Sequence, residues 1–186
     1  GELDILELFL AAGSSMSGEL LTRPNSNGET AIMLASENGH ARVLKRLFEF
    51  IAQHEDDMDI DFDINQLDAI GESCLFKAAR ELQVECVEEI LKYDQQRVDI
   101  EAYNDAGENV LIAVIQAAAS NGSGSEQEKE ALKILRMIVN YHAQHSTAPC
   151  YILNRIHKST GLTPLLIAIR SQLFSIFEFL ALHSDT

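Results

Sequence analysis

One pattern recurs four times along the 186-residue chain. Repetition at this scale leads a chain to stack like units rather than close a single core. Each copy opens on a Gly with Thr, Ser or Asn two residues later. An apolar residue follows four positions after the Gly, and a small or apolar one three further on. The copies are Gly28-Glu29-Thr30-Ala31-Ile32-Met33-Leu34-Ala35, Gly71-Glu72-Ser73-Cys74-Leu75-Phe76-Lys77-Ala78, Gly107-Glu108-Asn109-Val110-Leu111-Ile112-Ala113-Val114 and Gly161-Leu162-Thr163-Pro164-Leu165-Leu166-Ile167-Ala168. A second apolar set stands 15, 16, 19 and 20 residues after the Gly. It is Val43, Leu44, Leu47 and Phe48 in the first copy, Cys86, Val87, Ile90 and Leu91 in the second, and Ile176, Phe177, Leu180 and Ala181 in the fourth. In the third it is Ile134, Leu135, Ile138 and Val139, once 12 inserted residues are subtracted. Such spacings put the residues on one face of a helix. Each unit therefore reads as a turn, a short helix, a second turn and a longer helix, and the fold as all-α.

These residues resemble the ankyrin repeat, whose pattern is Asp-x-x-Gly-x-Thr-Pro-Leu-His-x-Ala over about 33 residues. The fourth copy carries Gly161, Thr163, Pro164, Leu165 and Ala168, and the first carries Gly39-His40 at the turn between helices. Asn25, Asp68 and Asn104 stand three before their Gly, and Lys158 replaces them in the fourth copy. The repeats are degenerate, but four in register make the pattern specific. The resemblance implies an ankyrin solenoid with a half repeat at 1–21 and repeats at about 22–53, 65–94, 101–141 and 155–186. Ile5, Leu6, Phe9 and Leu10 have the spacing of a second helix, and neither end shows a polar cap, so a piece of a longer protein is expected.

The glycines lie 43, 36 and 54 residues apart, which leaves insertions at loops. The first spans Gln53 to Asp63. Residues 53–68 hold seven acids and no Lys or Arg, nearly half of the net charge of −15. The third repeat has a polar loop, Ser120 to Ser125, with Ser125 as the expected N-cap of a helix restarting at Glu126. Its other extra residues lie near Tyr141 to Ala148.

An excess of 29 acids over 14 basic residues argues against non-specific nucleic-acid binding and against docking on anionic lipid. No run is long and apolar enough to span a membrane, and Gly1 to Leu10 has no basic residue to begin a secretory signal. Cys74, Cys86 and Cys150 are odd in number and lack CxxC spacing, which fits a reducing, intracellular compartment, cytoplasm or nucleus.

The chemistry-bearing motifs are weak. Asp57-x-Asp59-x-Asp61-x-Asp63 begins a calcium-loop spacing, but Phe62 stands where the loop needs Gly, and Asp68 where it needs Glu. A solvated acidic loop is the simpler reading. His142-x-x-His145, with Cys150 and His157 beyond, lacks the spacing of a zinc finger, and a helix dipole accounts for His near a C-terminus. Cys74 and Cys86 read as small packed hydrophobes. Ser123, within Gly122-Ser123-Gly124, sits in a linker rather than a nucleophile elbow, and no phosphate loop is present. Asn65 resembles a hairpin asparagine that some ankyrin repeats have hydroxylated. No catalytic residue, cofactor or metal is expected.

The resemblance implies that hairpin tips and short helices line a concave binding face. Directly after the Gly stand Glu29, Glu72, Glu108 and Leu162; nine and ten after it stand Glu37 and Asn38, Arg80 and Glu81, Gln116 and Ala117, Arg170 and Ser171. Three Glu at one register position would stack as an acidic row, bordered by Arg80 and Arg170. Solvated charge on a solenoid accounts for such a row as well as a binding role does. The sharper expectation is a groove that steers a basic segment of a partner protein, with Ile70 and Leu162 as apolar anchors. A monomer is expected. The competing class is a regulatory or substrate-docking region of an enzyme whose catalytic domain lies outside these residues.

Overall fold

The computed structural model describes residues 21–54, 62–93, 97–120, 124–146 and 151–183. These form four helix pairs. They are α1 (Ala31–Glu37) with α2 (Ala41–His54), α3 (Cys74–Arg80) with α4 (Val84–Lys92), α5 (Val110–Ala119) with α6 (Glu126–His145), and α7 (Pro164–Arg170) with α8 (Phe174–His183). A short 3-10 turn, Tyr151–Asn154, precedes the last pair. Among the described residues the one strand-like pairing is an isolated bridge between Tyr103 and Asn109. The first helices of successive pairs pack on one another, α1 on α3, α3 on α5 and α5 on α7, and the second helices do likewise. The result is a two-layer, all-α solenoid. Among the described residues no helix is long and apolar enough to cross a membrane.

The recurring Gly-x-(Thr/Ser/Asn) is a turn followed by a helix cap. Thr30, Ser73, Asn109 and Thr163 each accept a bond from the amide three residues on, at Met33, Phe76, Ile112 and Leu166. This satisfies one of the orphan N–H groups of each first turn. Gly28 has φ +79°, and a Cβ there would lie 2.8 Å from the backbone N of Ala69 in the next hairpin, so only Gly fits. Ser125 caps α6 by accepting from the Glu128 amide, as the sequence predicts.

Upstream of the Gly, a side-chain oxygen organises each of the first three turns. Asn25 Oδ1 accepts from the Asn27 and Glu29 amides, Asp68 Oδ1 from those of Ile70 and Glu72, and Asn104 Oδ1 from that of Glu108. The fourth turn corrects the sequence alignment. There His157, not Lys158, takes this place: its amide donates to the Leu162 carbonyl, and its Nδ1 accepts from the Ser159 amide. That turn is one residue longer, so a count back from Gly161 lands one position late.

The core runs the length of the stack. Leu44, Ile90, Leu111, Ile134 and Ile176 are completely buried. Each such side chain contributes roughly 2 kcal/mol of apolar transfer, which is why degenerate repeats stack despite losing much of the consensus.

Candidate functional site

The candidate binding residues sit on the hairpins and first helices, and the structure ties most of them into one polar network. Lys77 is its centre. Its position, six after Gly71, is held by Leu34, Ala113 and Ile167 in the other units. The Lys77 side chain is only 3% exposed; its Nζ lies 2.9 Å from Glu29 Oε1, 3.0 Å from Asp68 Oδ2 and 3.8 Å from Glu37 Oε2. A buried ammonium is tolerated here because three carboxylates from two hairpins and a helix end surround it.

Arg80, one turn further along α3, joins the next set. Its NH1 donates to both oxygens of Glu72 (2.6 and 2.5 Å), its NH2 reaches Glu37 at 3.4 Å, and its Nε reaches Glu81 at 3.3 Å. Asn104 carries the network across the following junction, donating to Glu72 Oε1 and Glu108 Oε2. His157 Nε2 lies 3.4 Å from Glu108 Oε1 and closes the chain of contacts.

The protonation equilibria follow from these partners. Hydrogen bonds from Asn25 and then Lys77 hold the Glu29 carboxyl down at about 2. Burial pushes Asp68 up, but the Glu72 amide and Lys77 outweigh it, and its carboxyl stays below the usual range. Burial would lower the Lys77 ammonium, yet Glu29 and Asp68 raise it. Burial dominates at Glu72 and raises it, with Arg80 pulling the other way. Burial also pushes the Cys74 and Cys86 thiols up to about 12 and about 11, which fits packed hydrophobes rather than nucleophiles.

The three Glu do occupy one register row, but their surroundings differ. Glu72 is 2% exposed and spent on Arg80 and Asn104, so it presents no free carboxylate to a partner. Glu29 and Glu108 are half-buried, and Glu37 and Glu81 are the more accessible acids. Ile70 is half exposed; Gln116 and Leu162 are half-buried; Arg170 is exposed. Among the described residues, the side chains of these last four make no hydrogen bond or ion pair with the network. Five carboxylates (Glu29, Glu37, Asp68, Glu72, Glu81) share two cations (Lys77, Arg80), which leaves three negative charges in excess on this end of the face.

Lys77, Asp68, Asn104 and His157 are network members that sequence reasoning did not select. The signal for Lys77 was available: a charge at a helical position that is otherwise apolar. The metal readings gain nothing. His157 serves Glu108 and Ser159, His145 Nδ1 bonds the Tyr141 carbonyl, and no three candidate ligands cluster among the described residues. Asp57, Asp59, Asp61 and Cys150 lie outside those residues; Asp63 caps the Asn65 amide. Asn65 itself clamps the next hairpin, donating to the Arg97 carbonyl and accepting from the Asp99 amide.

A family model described as ankyrin repeats, in three copies, matches residues 1–104, more than half of the chain. An ankyrin repeat domain from Acinetobacter baumannii AYE superposes with a TM-score of 0.68 at 16% identity, over 96% of this chain and 74% of that one. No curated protein matches. The capped hairpins, the paired helices in two layers and the family match agree: this chain belongs to the ankyrin-repeat family.

Proposed function

We propose that the face of hairpins and first helices binds a basic segment of a partner protein, with the first two units supplying the contact charge. Protein–protein interaction is the general role of ankyrin repeats. The observation that carries the finer reading is the three-charge excess around Lys77 and Arg80. It sits beside apolar side chains that remain exposed, Leu34 at 39% and Ile70 at 50%. Charge of this kind speeds encounter and selects the partner's sign, and the apolar groups add affinity. Arg170, exposed at the far end, gives the face a polarity, so the bound segment is basic at one end only.

The acids to test are Glu37 and Glu81, because Glu72 is structural. A library of peptides with basic, neutral and acidic sequences, titrated by fluorescence anisotropy, should show selection of the basic class. The Glu37→Gln, Glu81→Gln double variant should weaken the selected peptide roughly fivefold at low salt, with a smaller loss at high salt. Equal affinity of the variant and the parent at low salt, or selection of acidic peptides, would sink the proposal.

A further inference from the structure

Between the entry to the third hairpin and the last turn of α6 lies a cavity of about 380 Å³. That volume is within the range of small-ligand sites. Residues 97–101 form its hairpin wall, and Tyr141, His142 and His145 its helix wall. The fold itself holds both walls. Asn65 bonds the Arg97 carbonyl and the Asp99 amide, and the Tyr141 hydroxyl accepts from the Val98 amide at 2.9 Å. Asp99 Oδ1 accepts from the amides of Glu101 and Ala102. A ligand would therefore meet a cavity that is already ordered.

His142 is the feature that packing does not account for. It is 6% exposed and lines the cavity, and its ring has no hydrogen-bond or ion-pair partner among the described residues. No fully enclosed side-chain N or O lacks a partner among those residues, so the unpartnered ring nitrogens open onto the cavity. Three other histidines near helix ends, His54, His145 and His183, each pair Nδ1 with the carbonyl four residues back. A buried imidazole that does not do so gives up hydration without a return from the folded chain.

The walls also state which ligand suits them. His145 Nδ1 donates to the Tyr141 carbonyl, so Nε2 of the neutral ring remains an acceptor. Asp99 and Glu101 add carboxylates, and the end of α6 adds the negative pole of a 20-residue helix. Arg97 is the one permanent cation on the lining. The Tyr141 and His145 rings stack at 4.1 Å and, with Ile100, give the cavity a flat, partly apolar side. No three groups among the described residues cluster to hold a metal ion. Many acceptors beside an aromatic face suit a planar cation with several N–H donors better than a compact one.

We infer that this cavity is a second binding site, separate from the face of hairpins and first helices, and that it takes an alkylguanidinium group. The head donates to Asp99 and His142, and the stem lies along Ile100 and the Tyr141 ring. An arginine side chain of a peptide and a free alkylguanidine both carry this group.

The test follows the backbone amide NMR spectrum of the chain during titration with ethylguanidine, a capped Gly-Arg-Gly peptide, butylamine and phosphate. The two guanidinium ligands should shift the amides of 97–101 and 141–145 saturably, with Kd on the order of 1 mM. The tighter of the two identifies the source. Butylamine should bind at least about threefold more weakly, and phosphate should leave these amides in place. Asp99→Asn, which keeps the oxygen that accepts the two amides, should weaken binding about fivefold. Arg97→Ala should tighten it about twofold, because a like charge leaves the rim. His142→Phe should weaken binding about tenfold while holding or raising Tm, since the ring has no partner in the folded chain to lose. A lower Tm in that variant would make His142 a packing residue and overturn the inference. The inference also fails if neither guanidinium ligand shifts the cavity amides, if phosphate does so instead, or if Arg97→Ala weakens ethylguanidine. Should His142→Phe not fold, Asp99→Asn and Arg97→Ala, both at exposed residues, still decide the matter.

Discussion

The first described junction, α1 against α3, and the last, α5 against α7, hold the same register with different materials. In the first, a buried ammonium is ringed by Glu29, Asp68 and Glu37. In the last, the corresponding positions are Ala113 and Ile167, both buried, and the polar links are His157 with Glu108 and Asn109 with the Ile152 carbonyl. The repeat specifies a filled volume and satisfied polar groups, not a particular residue. A Lys fits in α3 because the hairpins before and beside it bring acids. Around Ala113 and Ile167 the row Glu remains (Glu72, Glu108), but Asn104 and His157 replace the Asp, and Arg80 and Gln116 replace the helix-end Glu, and the slot stays apolar. Charge on the face of hairpins and first helices is therefore concentrated where the packing already demands it.

The sharpest way to break this contrast is Lys77→Met. It removes the cation and leaves Asp68, itself 3% exposed on its side chain, buried against Glu29. We expect a loss of about 3 kcal/mol in urea unfolding, the usual cost of breaking one partner of a buried pair. A loss under about 0.5 kcal/mol would mean that the ammonium does not hold this junction. Glu128→Ala should follow at about 2 kcal/mol, since it strips the carboxylate acceptor from the Gly124 and Ser175 amides that lead into α6 and α8. Glu128 is 1% exposed, and although burial would raise its carboxyl, those amides hold it below the usual range.

Position and burial explain what could be read in the chain and what could not. The helices, their caps and the two-layer stacking follow from local spacing: Thr30, Ser73, Asn109 and Thr163 act within three residues of themselves. The shared network does not. Lys77 meets Glu29 across 48 positions in the chain, and Asn104 meets Glu72 across 32, so only the folded register brings them together. Glu72 shows the limit most clearly. Its place after Gly71 suggests a groove acid, but its burial is set by Arg80 eight residues on and Asn104 in the next hairpin. The fourth hairpin shows a second limit, for one extra residue moves the turn-forming role from Lys158 to His157 without disturbing Gly161 or its cap.

A pH titration separates the two junctions more gently. Glu29 and Asp68 have lowered pKa values in the folded chain, so their contribution is complete above the unfolded carboxylate values of 4.5 and 3.8. It is lost as pH falls toward the folded value of about 2 for Glu29. Glu72 is raised and works in the opposite sense, easing part of that loss as it takes up its proton. Tm should therefore be level above about pH 5 and decline from there to about pH 2, and Glu29→Gln should make the decline shallower. A decline of equal steepness in that variant would take the effect away from Glu29.

The smallest effect belongs to the exposed counterpart of the Lys77 cluster. Arg155 NH2 and Glu101 Oε2 lie 3.1 Å apart, with side chains 45% and 44% exposed, and they link the last two hairpins. Asn65 and Glu101 stand three residues before the turn-forming Asp68 and Asn104, and Arg155 stands two before their counterpart His157. Asn65→Ala should cost about 1 kcal/mol, because two backbone groups lose a partner. The Glu101–Arg155 pair should couple by under about 0.5 kcal/mol, since solvent screens it and two long side chains must be held still. A double-mutant cycle with Glu101→Ala and Arg155→Ala isolates that coupling from the contact Arg155 makes over the Tyr103 ring, 5.8 Å from its centroid. A coupling near that of a buried pair would show that exposure does not separate the two ends of the stack, and the distinction between their junctions would rest on packing alone.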